Sequence, residues 1–443
     1  MDNRLAARYA LAVLFLINTL NFFDRQIIGA VGEPIRREFE LGDSALGALN
    51  VAFTLIYAFV GLPLGKLADK FNRKKILAAG VFVWSFFTAA SGLAQSFWQI
   101  FLLRLGVGIG EASCAPAANS LIGDYFPSAK RARAASIFML GLPVGLSLSF
   151  AVSGAVAKNY GWRTAFLVAG LPGLLCVALA LLIREPVRGA VENVNVGAKT
   201  REGSAFRRVL ASPTMRWIII SGALHNFNLY ALSAFITPYL MRFHELDIQN
   251  ANFVSMIIYG VLSLPGLLLG GALGDAANRR RADGALLVVT FAVLLSIPFF
   301  FFALRVEAGR VTAFLLLIGA SVALMYFYYS IVYATIAEVN EPASRGTAMA
   351  VYFLAMYLFG ASFGPYVVGM ISDYFTQQAA AAAGVAAFTP QTLEPFRGAG
   401  LRSAMYIVPV LSTALMLVLF AASRTVKSDV EKLQKWMREN LEN

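Results

Sequence analysis

The sequence predicts an all-α integral membrane protein of twelve transmembrane helices in two related six-helix halves. Three observations carry that reading. Hydrophobic residues make up 58% of the 443 and charged residues 14%, against roughly 25% charged in a soluble domain. Apolar runs of about 20 residues, the length a helix needs to cross a bilayer, recur from end to end. One signature also occurs twice, half a chain apart: Gly65-Lys-Leu-Ala-Asp69-Lys-Phe-Asn-Arg73-Lys74 and Gly271-Ala-Leu-Gly-Asp275-Ala-Ala-Asn-Arg279-Arg280. Repeated halves are the usual build of secondary transporters. Strand-type alternation between turn signals, the mark of a transmembrane barrel, is absent.

The first span, 9–31, follows Arg4 and Arg8. It is too long, and too polar at its far end, for a cleaved signal peptide. Spans two and three, 45–66 and 76–95, flank the first signature. Span four, 98–122, holds a glycine-rich stretch and ends at Asp124-Tyr-Phe-Pro127-Ser-Ala-Lys-Arg131. Span five, 134–157, contains Gly141-Leu-Pro143-Val-Gly145, suited to bending or close packing. Span six, 163–183, stops at Arg184-Glu-Pro186 and closes an N-terminal bundle, 1–183. A polar, basic linker follows, 184–214, in which Ser204–Leu210 reads as a brief interfacial helix.

Spans seven and eight, 215–240 and 250–273, lead through the second signature to span nine, 284–304. Span ten, 311–336, is rich in tyrosine and ends at Glu338-Val-Asn-Glu-Pro342-Ala-Ser-Arg345-Gly346, an echo of the end of span four. Span eleven, 346–372, carries Gly360-Ala-Ser-Phe-Gly364-Pro365. Span twelve, 402–423, completes a C-terminal bundle, 215–424. In the tail, 425–443, Ser428-Asp-Val-Glu431 reads as a capping box. It would open a separate amphipathic helix bearing Val430, Leu433, Met437 and Leu441 on one face.

The formal charge of +12 follows topology. Most Lys and Arg fall on the side of the two termini, in clusters such as Lys70–Lys75, Lys130–Arg133 and Arg279–Arg281, which is the positive-inside pattern. That distribution argues against nucleic acid and for an inner (plasma) membrane protein with both termini cytoplasmic. No nucleophile–base set, metal-ligand spacing or phosphate loop is visible, so neither an enzyme nor a cofactor is expected. Cys114 and Cys176 read as apolar fillers.

Charges inside spans are costly and usually face a cavity or a partner. In span one, Asn18, Asn21 and Asp24 recur every three residues, with Arg25 adjoining. In span four, Arg104 and Glu111 lie two turns apart on one face, separated by Gly106-Val-Gly108-Ile-Gly110, which permits close helix approach. Asp24 and Arg104 are the expected pair across a cavity. The second half offers His225, Asn226 and Asn228 in span seven and Tyr326, Tyr328, Tyr329 and Tyr333 in span ten, but no counterpart of Arg104. An amphipathic ligand, acidic head near Arg104 and apolar tail against the C-terminal half, would suit such a cavity. The histidine and tyrosines read equally as packing.

Together these residues resemble a known family. The duplicated loop is similar to the signature of the major facilitator superfamily, whose fold pairs two six-helix halves. Asn21-Phe-Phe-Asp24-Arg25, Arg104-Leu-Gly-Val-Gly-Ile-Gly-Glu111-Ala-Ser113 and Ile122-Gly-Asp124-Tyr-Phe resemble the spinster family, most densely over 18–150. Brief loops, with no N-terminal extension, are expected of a bacterial member. The resemblance implies a transporter of lysophospholipids or sphingosine-1-phosphate-like molecules, with Asp24, Arg104 and Glu111 at charged cavity positions. It also implies a monomer, by superfamily analogy. The expected substrate-binding or coupling set is Asp24, Arg104, Glu111, Asn21, His225, Asn228 and Tyr329. Protons are the expected coupling partner, carried by Asp24 or Glu111; a proton-coupled carrier of small organic anions or drugs is the alternative. Asp69, Arg73, Lys74, Asp124, Arg131, Asp275, Arg279, Glu338 and Arg345 are expected to gate the cytoplasmic side.

Overall fold

The computed structural model describes residues 3–187, 205–341 and 344–441, all helix and connecting turn, with no strand among them. The first six spans are α1 (Asn3–Glu38), α2 (Asp43–Lys70), α3 (Arg73–Ser91), the bent pair α4 (Phe97–Glu111) and α5 (Cys114–Tyr125), the pair α6 (Ser128–Met139) and α7 (Gly141–Tyr160), and α8 (Trp162–Leu181). A short α9 (Ala205–Ala211) precedes α10 (Pro213–Arg242), the seventh span. The eighth is α11 (Ile248–Met256) and α12 (Ser263–Asn278), joined by a π-helical turn, Ile257–Leu262. Then come α13 (Gly284–Arg305) and α14 (Val311–Glu338). The eleventh is α15 (Arg345–Ala355) and α16 (Phe363–Ala382) around a second π turn, Met356–Ala361. After α17 (Pro390–Leu393) and α18 (Arg397–Met405), α19 (Ile407–Leu441) forms the twelfth.

Among the described residues, eleven stretches are long and apolar enough to cross a membrane; α3 is the remaining member of the order, made more polar by Arg73, Lys74 and Lys75 in its first turn. Leu175, Leu268 and Phe291 point outward, more than 60% exposed, as lipid-facing side chains must.

Packing repeats between the halves. α1 lies on α7, α2 on α4 and α3 on α8; in the second half α10 lies on the π turn of the eleventh span, α12 on α14 and α13 on α19. Across the halves α2 meets α16, α7 meets α11 and α1 meets α10. At the first crossing backbones touch: a Cβ on Gly47 would stand 2.4 Å from the Pro365 carbonyl oxygen. Gly110 allows a similar approach within the first half, where a Cβ would fall 2.6 Å from the Trp84 nitrogen.

The core divides in three. One apolar cluster, around Trp84 and Val107, belongs to the first half, and another, around Tyr328 and Tyr352, to the second. The third, with Ile35, Phe235 and Ile258, straddles both at the end of the bundle away from the termini. The halves therefore share a core at that distal end and keep separate cores towards the terminal end.

One expectation changes. The tail is no separate helix: α19 runs unbroken to Leu441, since no glycine or proline interrupts Arg424–Ser428. The Asp429 carboxylate instead accepts the Ser212 hydroxyl at 2.7 Å and the Thr214 amide at 3.0 Å, at the start of α10. The brief linker helix is present as Ala205–Ala211, while 188–204 lie outside the described residues.

His244, in the turn after α10, is buried with its ring 5.6 Å from Tyr239, 5.2 Å from Phe243 and 4.9 Å from Phe314. Burial holds its imidazole down at about 4, and the nearby Arg402 adds to this. The unfolded chain, with an ordinary histidine near 6.5, binds the proton first as pH falls. Stability is therefore expected to rise with pH between about 4 and 6.5. Melting curves should show this slope in the purified protein and a flatter one in His244→Phe; equal slopes would remove His244 as its source.

Candidate functional site: a buried charge cluster and a distal latch

Asp24 and Arg25 are neighbours on α1, so their side chains leave the helix about 100° apart. That angle decides the site. Asp24 turns inward to α3, where its carboxylate accepts the Thr88 hydroxyl at 3.2 Å. Arg25 turns to the centre, donating from Nε to Glu111 Oε2 at 2.8 Å and from Nη1 to the Tyr357 hydroxyl at 3.3 Å. Its guanidinium also lies 4.3 Å from the Tyr57 ring and 5.0 Å from Phe22, contacts that suit its delocalised charge.

The expected Asp24–Arg104 ion pair takes another form. Arg104, fully buried, donates from Nη1 to the backbone carbonyl of Asp24 at 3.2 Å and lies 5.0 Å from the Phe53 ring. The ion pair that does form is Arg25–Glu111. Asn21 sits buried beside Glu111. Arg25 is thus the cavity-lining charge absent from the expected set. Its signal was present, because a charge next to an acid within a span carries the same cost.

A central cavity of about 90 Å³ opens beside Arg25, lined from the first half by Gln26, Asn50 and Phe53 and from the second by Tyr230, Tyr259 and Tyr326 among others. Tyr329 also lines it, donating to Asn226 Oδ1 at 3.0 Å. His225 and Asn228 lie behind that wall. His225 is fully buried, stacked on Tyr328 at 3.9 Å and edge-on to Tyr329 at 5.1 Å. Asn228 donates to Ser412 Oγ at 3.0 Å and fastens α10 to α19.

The bonds described for the expected gating residues lie within their own halves. Arg73 binds Asp124 and, at 2.8 Å, Glu185. The Lys74 ammonium donates to Leu181 O at 3.1 Å, and Arg131 to Gly123 O at 2.9 Å. Arg345 donates to Ala337 O at 2.9 Å. Asp275, Arg279 and Glu338 are exposed at the terminal end, and the side chain of Asp69 lies outside the described set.

The halves are tied at the distal end instead. Arg242, ending α10, donates to Glu33 Oε2 at 2.6 Å and to both Asp43 oxygens at 2.8 Å. Glu33, Asp43 and Arg242 are each at most 3% exposed. Ser372 Oγ donates to Asp43 at 2.6 Å, and Arg36 to Glu394 at 2.6 Å. The cap of α2 also comes from the other half. Gly42, at its N-cap, has no side chain to offer, and Asp373 of α16 accepts the Asp43 and Ser44 amides at 2.8 and 2.9 Å. A carboxylate there also favours the positive end of the helix dipole.

Comparison with known proteins fits this geometry. A sequence model described as Major Facilitator Superfamily matches residues 14–365. A relative named "MFS-type efflux pump" from Mycolicibacterium smegmatis is 30% identical, covering 84% of this chain and 86% of its own. "Protein spinster homolog 1" of Homo sapiens is 31% identical over 82% of this chain and 72% of its own, and "Sphingosine-1-phosphate transporter SPNS2" of Danio rerio 29% over 82% and 76%. A solved structure, of a bacterial homolog to the human lysosomal transporter Spinster in an inward-facing, unoccupied conformation, superimposes with a TM-score of 0.89. It is 30% identical and covers 96% of this chain and 98% of its own.

Proposed function

The chain belongs to the spinster family of the Major Facilitator Superfamily and is a multi-pass membrane transporter, not an enzyme; on that premise we propose that it carries an amphipathic anionic lipid by proton-linked alternating access. The observation that carries the reading is the buried Arg25–Glu111 pair, whose arginine lines the cavity opposite tyrosines of the other half. An acidic headgroup, such as that of a lysophospholipid or a sphingosine-1-phosphate-like molecule, would take the place of Glu111 at Arg25. Its tail would lie on the aromatic wall. The name of the Danio rerio relative, a sphingosine-1-phosphate transporter, supports this substrate class.

Proton linkage follows from competition. Glu111 and the headgroup share one cation, so neutralising Glu111 frees Arg25, and each event favours the other by the same factor. Asp24, one residue away and tied to Arg104 through its backbone, is the second candidate carrier. In this reading the protein sits in the plasma membrane as a monomer with cytoplasmic termini, so the latched distal end is external. Asp69, Asp124, Asp275 and Glu338, with their basic neighbours, would close the cytoplasmic side once the latch opens.

The test is movement of a labelled lysophospholipid across liposomes holding the purified protein, with and without a pH gradient. Gradient-stimulated movement is expected, and Asp24→Asn separates the two carriers: unchanged pH dependence in that variant assigns the proton to Glu111. A second reading, a carrier of small organic anions or drugs, is favoured by the 90 Å³ volume, below that of a lipid, and by the relative named an efflux pump. No lipid movement under either condition would select it.

A further inference from the structure

A second cavity, of about 190 Å³, lies at the terminal end of the second half, lined by four separate segments. α9 contributes Arg208, the start of α10 Ser212, the stretch after α14 Glu341 and Ser344, and α19 Asp429 and Lys432. Two cations and two carboxylates thus line one small space. Glu341 and Asp429 are buried, while Lys432 is exposed. The Arg208 Nη2 donates to Ser344 Oγ at 3.2 Å, with Nε 3.8 Å from Glu341. Asp429 is fixed by its bonds to Ser212 and Thr214.

We infer that this cavity binds a phosphoethanolamine headgroup, its phosphate between Arg208 and Lys432 and its ammonium against Glu341 and Asp429. The charge pattern selects the ligand. A plain anion would meet two carboxylates beside its two cations, whereas a zwitterion matches both signs. The lining contains no aromatic ring, so a quaternary ammonium would lack the cage such groups favour. A primary ammonium has three N–H donors and suits carboxylate oxygens. A phosphoserine headgroup would bring a further negative charge to Glu341.

The setting favours a lipid as its source. Pro213 begins the seventh span and Glu338 ends the tenth, which puts the cavity at headgroup depth. On α9, Phe206 and Leu210 are exposed one helical turn apart, on the side opposite Arg208, and Ile220 of α10 is exposed as well. Such an apolar face lies naturally along the acyl boundary. Soluble glycerophosphoethanolamine carries the same chemistry. An occupant of either kind would fasten the linker helix to α10, α14 and α19.

This site stands apart from the central cavity and does not depend on the transport reading. Native mass spectrometry of the full chain, offered equal phosphatidylethanolamine and phosphatidylcholine of matched chains, is expected to retain several-fold more of the former. Lys432→Ala, at an exposed position that leaves the fold intact, and Glu341→Gln should each reduce that preference to near unity, while Arg25→Ala should keep it. Equal retention by the wild type, or a preference lost in Arg25→Ala and kept in Lys432→Ala, overturns the assignment. Melting shifts then identify the source. A shift with glycerophosphoethanolamine that Lys432→Ala abolishes makes the headgroup sufficient. A shift with the membrane lipid alone means that acyl chains contribute, and no shift with either overturns the site.

Discussion

Arg25→Ala is expected to lower lysophospholipid transport at least about 100-fold. Removing one partner of a buried pair leaves the other charge uncompensated, at about 3–5 kcal/mol, and each 1.4 kcal/mol is roughly a factor of ten. Here the orphan would be Glu111, held 2.8 Å from the guanidinium that was lost. Arg25→Lys should rescue little, because an ammonium cannot bond Glu111 and Tyr357 together while facing the Tyr57 ring as a planar guanidinium does. Folding and function can be told apart with the double variant Arg25→Ala/Glu111→Gln. With no charge stranded, its melting temperature should recover most of what the single variant loses, and its transport should not. Transport near wild type in either Arg25 variant would exclude the arginine as headgroup site.

Arg242→Ala is expected to release the distal end. The loss is partly buffered, since Glu33 keeps Arg36 at 2.8 Å and Asp43 keeps Ser372 at 2.6 Å. A net loss of about 3 kcal/mol, the low end for a broken buried pair, would still move a two-state equilibrium roughly 100-fold. Spin labels at Lys158 and Gln249, both exposed, report it directly. They flank the mouth where α7 meets α11, beside the surface ion pair Lys158–Asp247 at 3.3 Å. The wild type should give one short distance and the variant a long one in substantial population. An unchanged distribution would mean that the shared apolar core, not the latch, holds this end shut.

The fold was legible because its signals are local. Span lengths, the duplicated loop and the positive clusters can be counted along the chain, and the charges at Asp24, Arg104 and Glu111 stand out against apolar neighbours. Partner choice was not legible, because one residue of helix turns a side chain about 100°. That turn gave Glu111 to Arg25 and sent Asp24 to Thr88. The latch was less visible still. Glu33, Asp43, Arg242 and Glu394 sit at span ends, where charges are ordinary and solvation is the default reading. Their pairing joins positions 199 to 358 residues apart. The unbroken α19 shows the opposite error: a capping box was present in sequence, but its Asp429 capped a different helix.

Both π turns stand just ahead of a proline, Pro265 in α12 and Pro365 in α16, where the ring displaces the carbonyl four residues back. Each is in effect one inserted residue held in place. An insertion of this kind can migrate: passed along by a turn, it returns the stretch it leaves to α geometry and rotates the side chains between by about 100°. Tyr259 and Tyr357 lie inside these turns, one on the cavity wall and the other bonded to Arg25. Such a shift in the second half would re-index the residues facing the cavity without moving the ends of its helices, while α2 across from it is α-helical throughout.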